Sequence, residues 1–436
     1  MEKAQIGVVG GLGHIGLIQA ACLAKLGYKT TGYDKNISKV EDILKGKLPF
    51  YEPGLHEIVE ETLKNGLLKF TSSVDDLKSC DLIFICVGTP SLPNGEADVS
   101  QVFASVEEVV RNRKSPCTVV IKSTVPLGTN RKVAKYLEEK GLQDKAVIVS
   151  NPEFLQEGSG VRNFWEPSRI IVGAQSGEIA ETIARLYSPP GVPVIITTWE
   201  NAELIKHAAN AFLANKISFI NEIAVLCEKV GGDIRVVSRG IGLDPRINPY
   251  FLEAGVGFSG PCLEKDLKSL IAQFHKKGKQ AKLLESVLEV NEEKRKEVVH
   301  KLKEQLGTLA GKHIGVLGMA FKAETDDVRD SHSLPIVRYL LSLGAMLTVH
   351  DPWVKSFREA GFSEADFPGV KWVQTPYEAA EGKDALLILT AWPEYRELDL
   401  ARIRDSLVHP LIVDGRNLFD PREMKAANIM YLGVGI

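Results

Sequence analysis

The sequence lacks any large excess of charge of one sign. Its 436 residues include 53 lysines and arginines against 56 aspartates and glutamates, which leaves a formal net charge of -3. This balance gives no extended field that would attract nucleic acid or an anionic membrane surface, so we predict neither partner. A small-molecule partner is favoured instead.

Long apolar runs and a targeting segment are also missing. The longest candidates are short pieces such as LIFICVG (82–88), far below the roughly 20 residues that span a bilayer. The start, MEKAQIGVVGG, lacks the basic segment, apolar stretch and cleavage site of a signal peptide. We therefore expect a cytoplasmic protein that does not enter the membrane.

Cysteine is sparse, and no C-x-x-C pair suggests a redox or metal motif, so no metal site is predicted. In a reducing compartment such cysteines are mostly small buried hydrophobic residues. We expect this for five of the six, all except Cys262. The five are Cys22, Cys80, Cys86, Cys117 and Cys227.

A chain of this length is too long for one ordinary core, and its patterns predict an α/β fold with two Rossmann-like, doubly wound domains. Apolar runs typical of buried parallel strands occur early and recur late in the same order. The early runs are IGVVGG (6–11), KTTGYDK (29–35), CDLIFICVGTP (80–90) and TVVIKSTVP (118–126), and the late ones are KHIGVLG (312–318), MLTVHDP (346–352), KDALLILTAWPEY (383–395) and LIVDGRN (411–417).

Between these two regions the apolar residues recur three and four apart over many turns, in 200–230 and 282–306, which predicts long helices. We therefore divide the chain into a Rossmann domain at 1–200, a helical central domain at 201–305 and a second Rossmann-like domain at 306–436. The long apolar helix face favours a dimer core, although packing against the flanking domains would also explain it.

The glycines Gly11, Gly13 and Gly16 form a G-x-G-x-x-G motif between the first strand and a helix. Here Gly11 permits a tight turn, Gly13 lets a pyrophosphate approach the backbone, and Gly16 lets helix and strand pack closely. The second strand ends in Asp34, which is placed to bind ribose hydroxyls and to repel the extra phosphate of NADP. We predict an NAD site; a glycine-rich turn that binds no dinucleotide is the alternative.

The loop GVGFSGPCLEKD (255–266) places Cys262 directly before a predicted helix, with Lys265 and Asp266 close behind. A helix N-terminus and a nearby lysine favour the nucleophilic thiolate, although a lone cysteine is often only structural. On another predicted helix, Lys206 and Asn210 lie four residues apart and face the same way. A solvated helix face is the alternative for that pair.

A third candidate segment is NPEFLQEG (151–158), in which Glu153 and Glu157 follow a short strand. An exposed acidic loop is its alternative interpretation.

With these motifs, the sequence resembles the nucleotide-sugar 6-dehydrogenases of the UDP-glucose/GDP-mannose dehydrogenase family over nearly its whole length. The segments that match are VVGGLGHIGL (8–17), YEPGL (51–55), CVGTP (86–90), KSTVPLGT (122–129), NPEFLQEG (151–158), ELIKHAANAF (203–212), RINPYFL (246–252), GVGFSGPCLEKD (255–266), GMAFKAETDDVRDS (318–331) and DGRN (414–417).

The resemblance implies an N-terminal NAD domain, a helical dimerisation region and a C-terminal UDP-sugar domain, in a homodimer or higher homo-oligomer. Its implied NAD site comprises Gly11, Leu12, Gly13, His14, Ile15, Gly16, Asp34, Lys39, Val87, Gly88, Thr89, Pro90, Ser123, Thr124, Val125, Glu157 and Arg329. Its implied substrate site comprises Glu153, Phe154, Leu155, Gln156, Lys206, Asn210, Arg246, Tyr250, Phe251, Leu252, Gly257, Phe321, Lys322 and Arg416, with Arg246 reaching the sugar of the neighbouring subunit.

The resemblance also implies a four-electron oxidation of UDP-glucose at C6 to UDP-glucuronate. Cys262 would form a thiohemiacetal and then a thioester. The assisting catalytic residues would be Lys206 and Asn210 at the oxyanion, Asp266 at water, Glu153 as acid or base, and Thr124 in ordering the site.

Departures from the family pattern leave the sugar open. Ser259, Pro261 and Glu264 stand where the family usually has glycine, serine and proline. Lys265 favours an unacetylated sugar, and the segment RINPYFL favours UDP-glucose over GDP-mannose. GDP-mannose and UDP-N-acetylhexosamine oxidation are the nearest alternatives. A two-electron hydroxyacid dehydrogenase and a non-enzymatic sensor are more distant ones.

Overall fold

The computed structural model describes residues 4–111, 113–187, 189–358 and 360–436. These residues fall into two compact units. The N-terminal unit runs to Ala209 and adds Lys268–Lys279, whereas the C-terminal unit comprises Asn210–Leu267 and Gln280–Ile436. The three-domain division predicted from the sequence stays a prediction.

The N-terminal unit is built on an eight-stranded sheet in the order β3-β2-β1-β4-β5-β6-β7-β8. The strands are β1 (Ile6–Val9), β2 (Thr30–Tyr33), β3 (Leu68–Thr71), β4 (Leu82–Ile85), β5 (Cys117–Ile121), β6 (Ala146–Ser150), β7 (Ile170–Ala174) and β8 (Val194–Thr197). All neighbouring pairs are parallel except β6 and β7, which are antiparallel. The four early strands expected from the apolar runs are therefore confirmed as β1, β2, β4 and β5.

Successive residues of the central strands face opposite sides of this sheet and are buried on both. In β4, for example, Leu82 and Phe84 belong to one apolar cluster and Ile83 and Ile85 to another. Helices provide the covering layers. They are α1 (His14–Lys25), α2 (Ile37–Leu44), α3 (Leu55–Lys64), α4 (Ser100–Arg111), α5 (Thr129–Glu139), α6 (Gly160–Trp165) and α7 (Gly177–Arg185), with 3-10 turns at Val74–Leu77 and Gln143–Lys145.

The C-terminal unit holds a six-stranded, wholly parallel sheet in the order β11-β10-β9-β12-β13-β14. Its strands are β9 (His313–Leu317), β10 (Met346–His350), β11 (Lys371–Trp372), β12 (Ala385–Ile388), β13 (Leu411–Asp414) and β14 (Met430–Leu432). This is the strand order of the first six strands of the other sheet, and of the dinucleotide-binding fold. The predicted fold class, with two Rossmann-like sheets, is confirmed.

The helical pattern of the middle region forms α8 (Trp199–Val230) and α11 (Lys282–Leu306) as expected. Both units contribute residues to α8 and to α10. The remaining helices are α9 (Ile234–Gly242), α10 (Leu263–Lys276), α12 (Ser333–Ser342), α13 (Pro376–Ala380), α14 (Pro393–Arg396), α15 (Leu400–Ser406) and α16 (Pro421–Ala426), with a 3-10 turn at Glu364–Asp366. Among the described residues, none of the helices combines the length and the apolar character that a membrane span requires.

Candidate active site

The predicted glycine motif lies between the end of β1 at Val9 and the start of α1 at His14. A Cβ on Gly16 would lie 2.0 Å from the carbonyl oxygen of Gly10, so only glycine allows helix and loop to pack this closely. A Cβ on Gly11 would lie 2.7 Å from the Cα of Gly32 in β2. The residue with positive φ in the turn is Gly10 (φ +74°), whereas the role of Gly11 is close contact with β2.

The start of α1 fits a dinucleotide pyrophosphate. Gly13 caps the helix without a side-chain hydrogen bond, and the first turn, which includes His14, Ile15 and Gly16, has no acidic residue. The positive end of the helix dipole is therefore not neutralised by the helix's own side chains. Leu12, in the same loop, is buried. Beyond the end of β4, no heavy atom lies within 4 Å of a Cβ built on Gly88, which leaves the backbone open to a ligand.

Asp34 directly follows β2, at the position expected of a ribose-binding carboxylate, and it is only half-buried. One of its carboxylate oxygens accepts a hydrogen bond from the backbone N–H of Asn36 at 3.0 Å. Asn36 in turn caps α2, which carries the exposed Lys39. The carboxylate is thus held at the strand end by its own turn.

The Asp34→Asn substitution tests the cofactor preference, because it removes the charge but keeps an acceptor for the Asn36 N–H. We expect kcat/KM for NAD to fall about tenfold and the preference for NAD over NADP to narrow, since the 2'-phosphate no longer meets a carboxylate. Steady-state kinetics with both cofactors measure this. Glu41→Gln, on the exposed face of α2, is the control and should change neither value. An unchanged NAD/NADP ratio in Asp34→Asn would contradict the assigned ribose site.

The loops after β4 and β5 carry the remaining predicted cofactor residues of the N-terminal unit, and hydrogen bonds tie them together. The Ser123 hydroxyl donates to the carbonyl oxygen of Val87 at 2.7 Å, and the Thr89 hydroxyl donates to that of Thr124 at 2.8 Å. The carbonyl oxygen of Val125 contacts a ring nitrogen of the buried His207 on α8 at 2.9 Å. Gly88 and Pro90 are exposed beside these bonds. These loops follow the carboxyl ends of β4, which neighbours β1, and of β5, the next strand along, and doubly wound sheets bind dinucleotides at this edge.

Glu153 and Lys206 form a buried ion pair. The Lys206 Nζ lies 3.1 Å from Oε1 of Glu153, and their side chains are 6% and 8% exposed. The other carboxylate oxygen of Glu153 accepts the backbone N–H of Leu155 at 2.6 Å. Burial excludes both alternatives considered above, an exposed acidic loop for Glu153 and a solvated face for Lys206. The ring of Phe154, the residue after Glu153, lies 5.3 Å from the Lys206 ammonium. Gln156, farther along the same loop, is exposed.

Sequence reasoning assigned no role to Glu52, although it lies in the matching segment YEPGL. Its buried carboxylate accepts the backbone N–H groups of Gly158 and Gly160, at 2.9 and 2.7 Å. It also lies 3.4 Å from the imidazole of His14 at the start of α1. Glu52 therefore joins the glycine motif to the loop that carries Glu153 and the half-buried Glu157. The feature of the sequence that could have identified Glu52 is a glutamate directly before Pro-Gly, between two apolar segments.

In the C-terminal unit, Cys262 directly precedes α10 and is exposed, whereas the other five cysteines are buried. The prediction for those five is confirmed. Burial raises the pKa of Cys22 and of Cys86 to about 12, and that of Cys80 to about 11, so these thiols stay protonated.

The loop before Cys262 is held by Asn291 of α11, a second residue that sequence reasoning missed. Its side-chain amide accepts the backbone N–H of Phe258 at 2.7 Å and donates to the Phe258 carbonyl oxygen at 3.0 Å. Gly257 has a φ of +96°, and a Cβ there would lie 2.2 Å from Asn291 Oδ1. The Ser259 hydroxyl donates to the carbonyl oxygen of Phe321 at 3.2 Å. The loop is thus fixed between α11 and the predicted UDP site.

Asp266 is the centre of a second buried polar cluster, within the first turns of α10. One of its oxygens lies 2.6 Å from the Lys265 ammonium, and the other accepts a hydrogen bond from the Asn210 amide at 2.6 Å. Asp266 itself is 1% exposed. The predicted residues Asn210 and Asp266 are therefore brought together, 56 positions apart in the sequence.

The predicted nucleotide-diphosphate residues follow the carboxyl ends of β9 and β13. Phe321 and Lys322 come after β9, and Arg416 comes after β13, where its side chain donates to the carbonyl oxygen of Leu389 at 2.7 Å. Burial lowers the pKa of Arg416 to about 10, so it keeps its charge at neutral pH. This edge of the sheet is where doubly wound folds bind ligands.

Asp351 occupies in the second sheet the place that Asp34 occupies in the first, but its surroundings differ. It directly follows β10, as Asp34 follows β2, but it is buried and accepts the backbone N–H groups of Met319 and Ala320 at 2.7 and 3.0 Å. It also accepts the indole N–H of Trp392 at 3.1 Å. The Asp351 carboxylate is therefore occupied by hydrogen bonds within the protein and is not available to ribose hydroxyls.

The remaining predicted residues of this unit lie on loops. Tyr250 is 70% exposed, Phe251 has a positive φ of 63°, and Leu252 is buried. Arg246 and Arg329 are exposed arginines that pair with Asp244 and Asp327 of their own turns. No group of three or more potential metal-ligating side chains occurs in the part of the chain that the structure describes.

Comparison with known proteins identifies relatives over the whole length. The profile of the UDP-glucose/GDP-mannose dehydrogenase family matches as its NAD binding domain at residues 4–190, its central domain at 200–293 and its UDP binding domain at 315–421. A UDP-glucose 6-dehydrogenase of Bacillus subtilis is 41% identical over 427 residues, covering 98% of this chain and 92% of the relative. One from Rhizobium meliloti is 39% identical over 98% of each chain.

Solved structures give the same result. The UDP-glucose dehydrogenase of Pyrobaculum islandicum is 38% identical, with a TM-score of 0.91 over 99% of this chain and 98% of the other. The UDP-D-ManNAc dehydrogenase of Pyrococcus horikoshii is 27% identical, with a TM-score of 0.88 over 99% of both chains. The similarity in fold thus agrees with the similarity in sequence.

Proposed function

This chain belongs to the UDP-glucose/GDP-mannose dehydrogenase family, and we propose that it uses NAD to oxidise the C6 alcohol of UDP-glucose to the carboxylate of UDP-glucuronate. The observation that carries the proposal is the exposed Cys262 at the start of α10, on a loop fixed against Phe321 and followed by the Asn210–Asp266–Lys265 cluster. Relatives named UDP-glucose 6-dehydrogenase, at 38–41% identity over 98% of the chain, support this substrate over GDP-mannose or an acetylated sugar. The predicted cytoplasmic location is part of the proposal.

The reaction balances as a four-electron oxidation. UDP-glucose, two NAD+ and one water give UDP-glucuronate, two NADH and three protons. When bound, NAD supplies the hydride acceptor for both steps. After the first oxidation, the Cys262 sulfur adds to the C6 aldehyde to form a thiohemiacetal, and the second oxidation converts this adduct to a thioester. Water then cleaves the C–S bond, releasing the carboxylate and restoring the thiol.

The protein's own groups take complementary parts. The Lys206 ammonium, fixed by Glu153, and the Asn210 amide, fixed by Asp266, stabilise the negative charge that develops on the C6 oxygen. Glu153 moves protons during thioester hydrolysis, Asp266 orients the attacking water, and Thr124 orders the site. Both carboxylates are already anchored by hydrogen bonds, so they need little reorganisation as charge develops.

We further propose the predicted three-domain arrangement, with UDP bound at the carboxyl edge of the second sheet, and a homodimer formed through α8 and α9. In α8, the apolar residues Phe212, Phe219 and Leu226 are exposed at intervals of seven residues, which places them on one face. Leu243, just beyond α9, is 78% exposed. Large apolar side chains repeated along one exposed helix face are typical of a subunit interface.

The dimer can be tested through Arg246, whose side chain is 88% exposed and which we assign to the partner's sugar site. Arg246→Ala and Cys262→Ser subunits should each be nearly inactive alone. Mixed one to one under subunit exchange, they should recover about one quarter of wild-type activity, because half of the dimers are hybrids with one intact site each. Activity assays after mixing, with sedimentation to verify the dimer, measure this. No recovery in verified hybrids would place Arg246 in its own subunit's site.

The substrate proposal is tested by a panel of UDP-glucose, GDP-mannose and two UDP-N-acetylhexosamines, counting NADH per sugar consumed. UDP-glucose should have the highest kcat/KM and yield two NADH with no free aldehyde. A single NADH with a stable carbonyl product would indicate a two-electron dehydrogenase instead. A higher kcat/KM for another nucleotide sugar than for UDP-glucose would assign the chain to the branch of the family that oxidises that sugar.

A further inference from the structure

A cavity of about 140 Å³ lies in the N-terminal unit, behind the loop that carries Glu153. Among its lining residues are Gln19 of α1, Lys122 after β5, and Phe154 and Arg169 on either side of α6. One water needs roughly 10–15 Å³ of such space, so the cavity can hold several waters or one small ligand.

The positive charges of this lining are not neutralised. Lys122 is 5% exposed, and its ammonium contacts only neutral oxygens among the described residues, those of Asn151 and Tyr187, each at 3.0 Å. Arg169 donates to the Ser168 hydroxyl at 2.9 Å and lies 3.8 Å over the ring of Phe154. Neither makes an ion pair in the described part of the chain.

The two carboxylates of the lining are already paired with cations that lie outside it. Glu153 is 3.1 Å from Lys206, and Glu166 is 3.1 Å from Arg162. Lys122 and Arg169 therefore leave a net positive charge at the cavity wall. Buried charges are usually paired, because burial without a counter-charge is costly.

A third polar group lacks a partner at the same wall. The side-chain nitrogen of Gln19 is buried and donates no hydrogen bond within the described residues, and the residue is 1% exposed. Amide, ammonium and guanidinium groups are all donors, and the planar guanidinium matches a carboxylate or phosphate in particular. The lining thus offers donors and positive charge to an acceptor with negative charge.

We propose that this cavity binds a small oxyanion, a carboxylate or a phosphate, at groups that neither the predicted NAD site nor the predicted UDP-glucose site uses, although its lining shares residues 153–156 with the predicted substrate site. Its occupant is held by Arg169 and Lys122, and Gln19 donates a further hydrogen bond. Because Glu153 and Phe154 line the same cavity, the bound anion orders the loop that carries Glu153. Any effect of this loop ordering on turnover rests on the proposed function, whereas anion binding itself does not.

Calorimetry on the full-length protein, without NAD or nucleotide sugar, tests the binding. Acetate and inorganic phosphate are the two probes, and sodium chloride at equal ionic strength is the reference. We expect saturable binding of one anion per chain, and the tighter probe distinguishes a carboxylate site from a phosphate site. Absence of saturable binding by both probes would overturn the proposal.

Variants assign the binding to the cavity. Arg169→Gln should weaken it at least tenfold, and Lys122→Met should do the same if its circular dichroism shows a folded protein. Arg185→Gln is the matched control, since this arginine is on α7 with its side chain 73% exposed and neither it nor its partner Glu181 lines the cavity, and binding should be unchanged. Wild-type affinity in Arg169→Gln would overturn the proposal. Loss of anion binding in the presence of saturating UDP-glucose or NAD would also overturn it, by assigning the anion to those sites.

Discussion

Replacing Cys262 with serine is expected to lower overall turnover by about three orders of magnitude or more while leaving the binding of NAD and UDP-glucose intact. The serine hydroxyl is far less acidic than a thiol and is a poor nucleophile without a dedicated base. It would also be a poorer leaving group if an ester formed. The substitution changes one atom of an exposed residue and should not disturb the fold, because the loop is held at Phe258 and Ser259.

The variant should stall as a covalent adduct or release traces of aldehyde, which mass spectrometry and NADH counting can detect. Cys227→Ala, which alters a buried cysteine on α8, is the control and should keep two NADH per sugar. If Cys262→Ser kept near-normal turnover with two NADH per sugar, Cys262 would be only a structural residue. The two-step oxidation would then need another nucleophile.

Replacing Lys206 with methionine should have two separable effects. Loss of the ammonium at the developing oxyanion should lower kcat by about 10²–10³. The variant should also lose about 3–5 kcal/mol of stability, because the Glu153 carboxylate stays buried without its cation. Steady-state kinetics and denaturant unfolding measure the two effects independently.

A second substitution distinguishes the catalytic effect from the structural one. The double variant Lys206→Met/Glu153→Gln should regain most of the lost stability, since no unpaired charge remains, but it should not regain kcat. Lys229→Met, at the exposed end of the same helix, should leave both unchanged. Recovery of activity together with stability in the double variant would show that Lys206 is structural.

The amino-acid sequence alone determined the long helices, the cofactor turn and four neighbouring strands of each sheet, which are β2, β1, β4 and β5 in the first and β10, β9, β12 and β13 in the second. Both faces of a parallel sheet are covered by helices, so every residue of a central strand is buried. Apolar runs of four or five residues therefore predict such strands. The glycine motif is equally local, since Gly16 must approach Gly10 only six positions away. Asp34 and Cys262 lie at element ends that the same patterns locate.

The tertiary structure alone decided which distant side chains meet. Glu153 and Lys206 pair across 53 positions, and Asn210 meets Asp266 across 56. Local periodicity records whether a residue is buried, but not which partner satisfies its charge or its hydrogen bonds. For the same reason Asp34 and Asp351 look alike in the sequence, each following a second strand. Only the folded chain turns the Asp351 carboxylate inward to the N–H groups of the β9 loop, because those groups are buried there and need an acceptor.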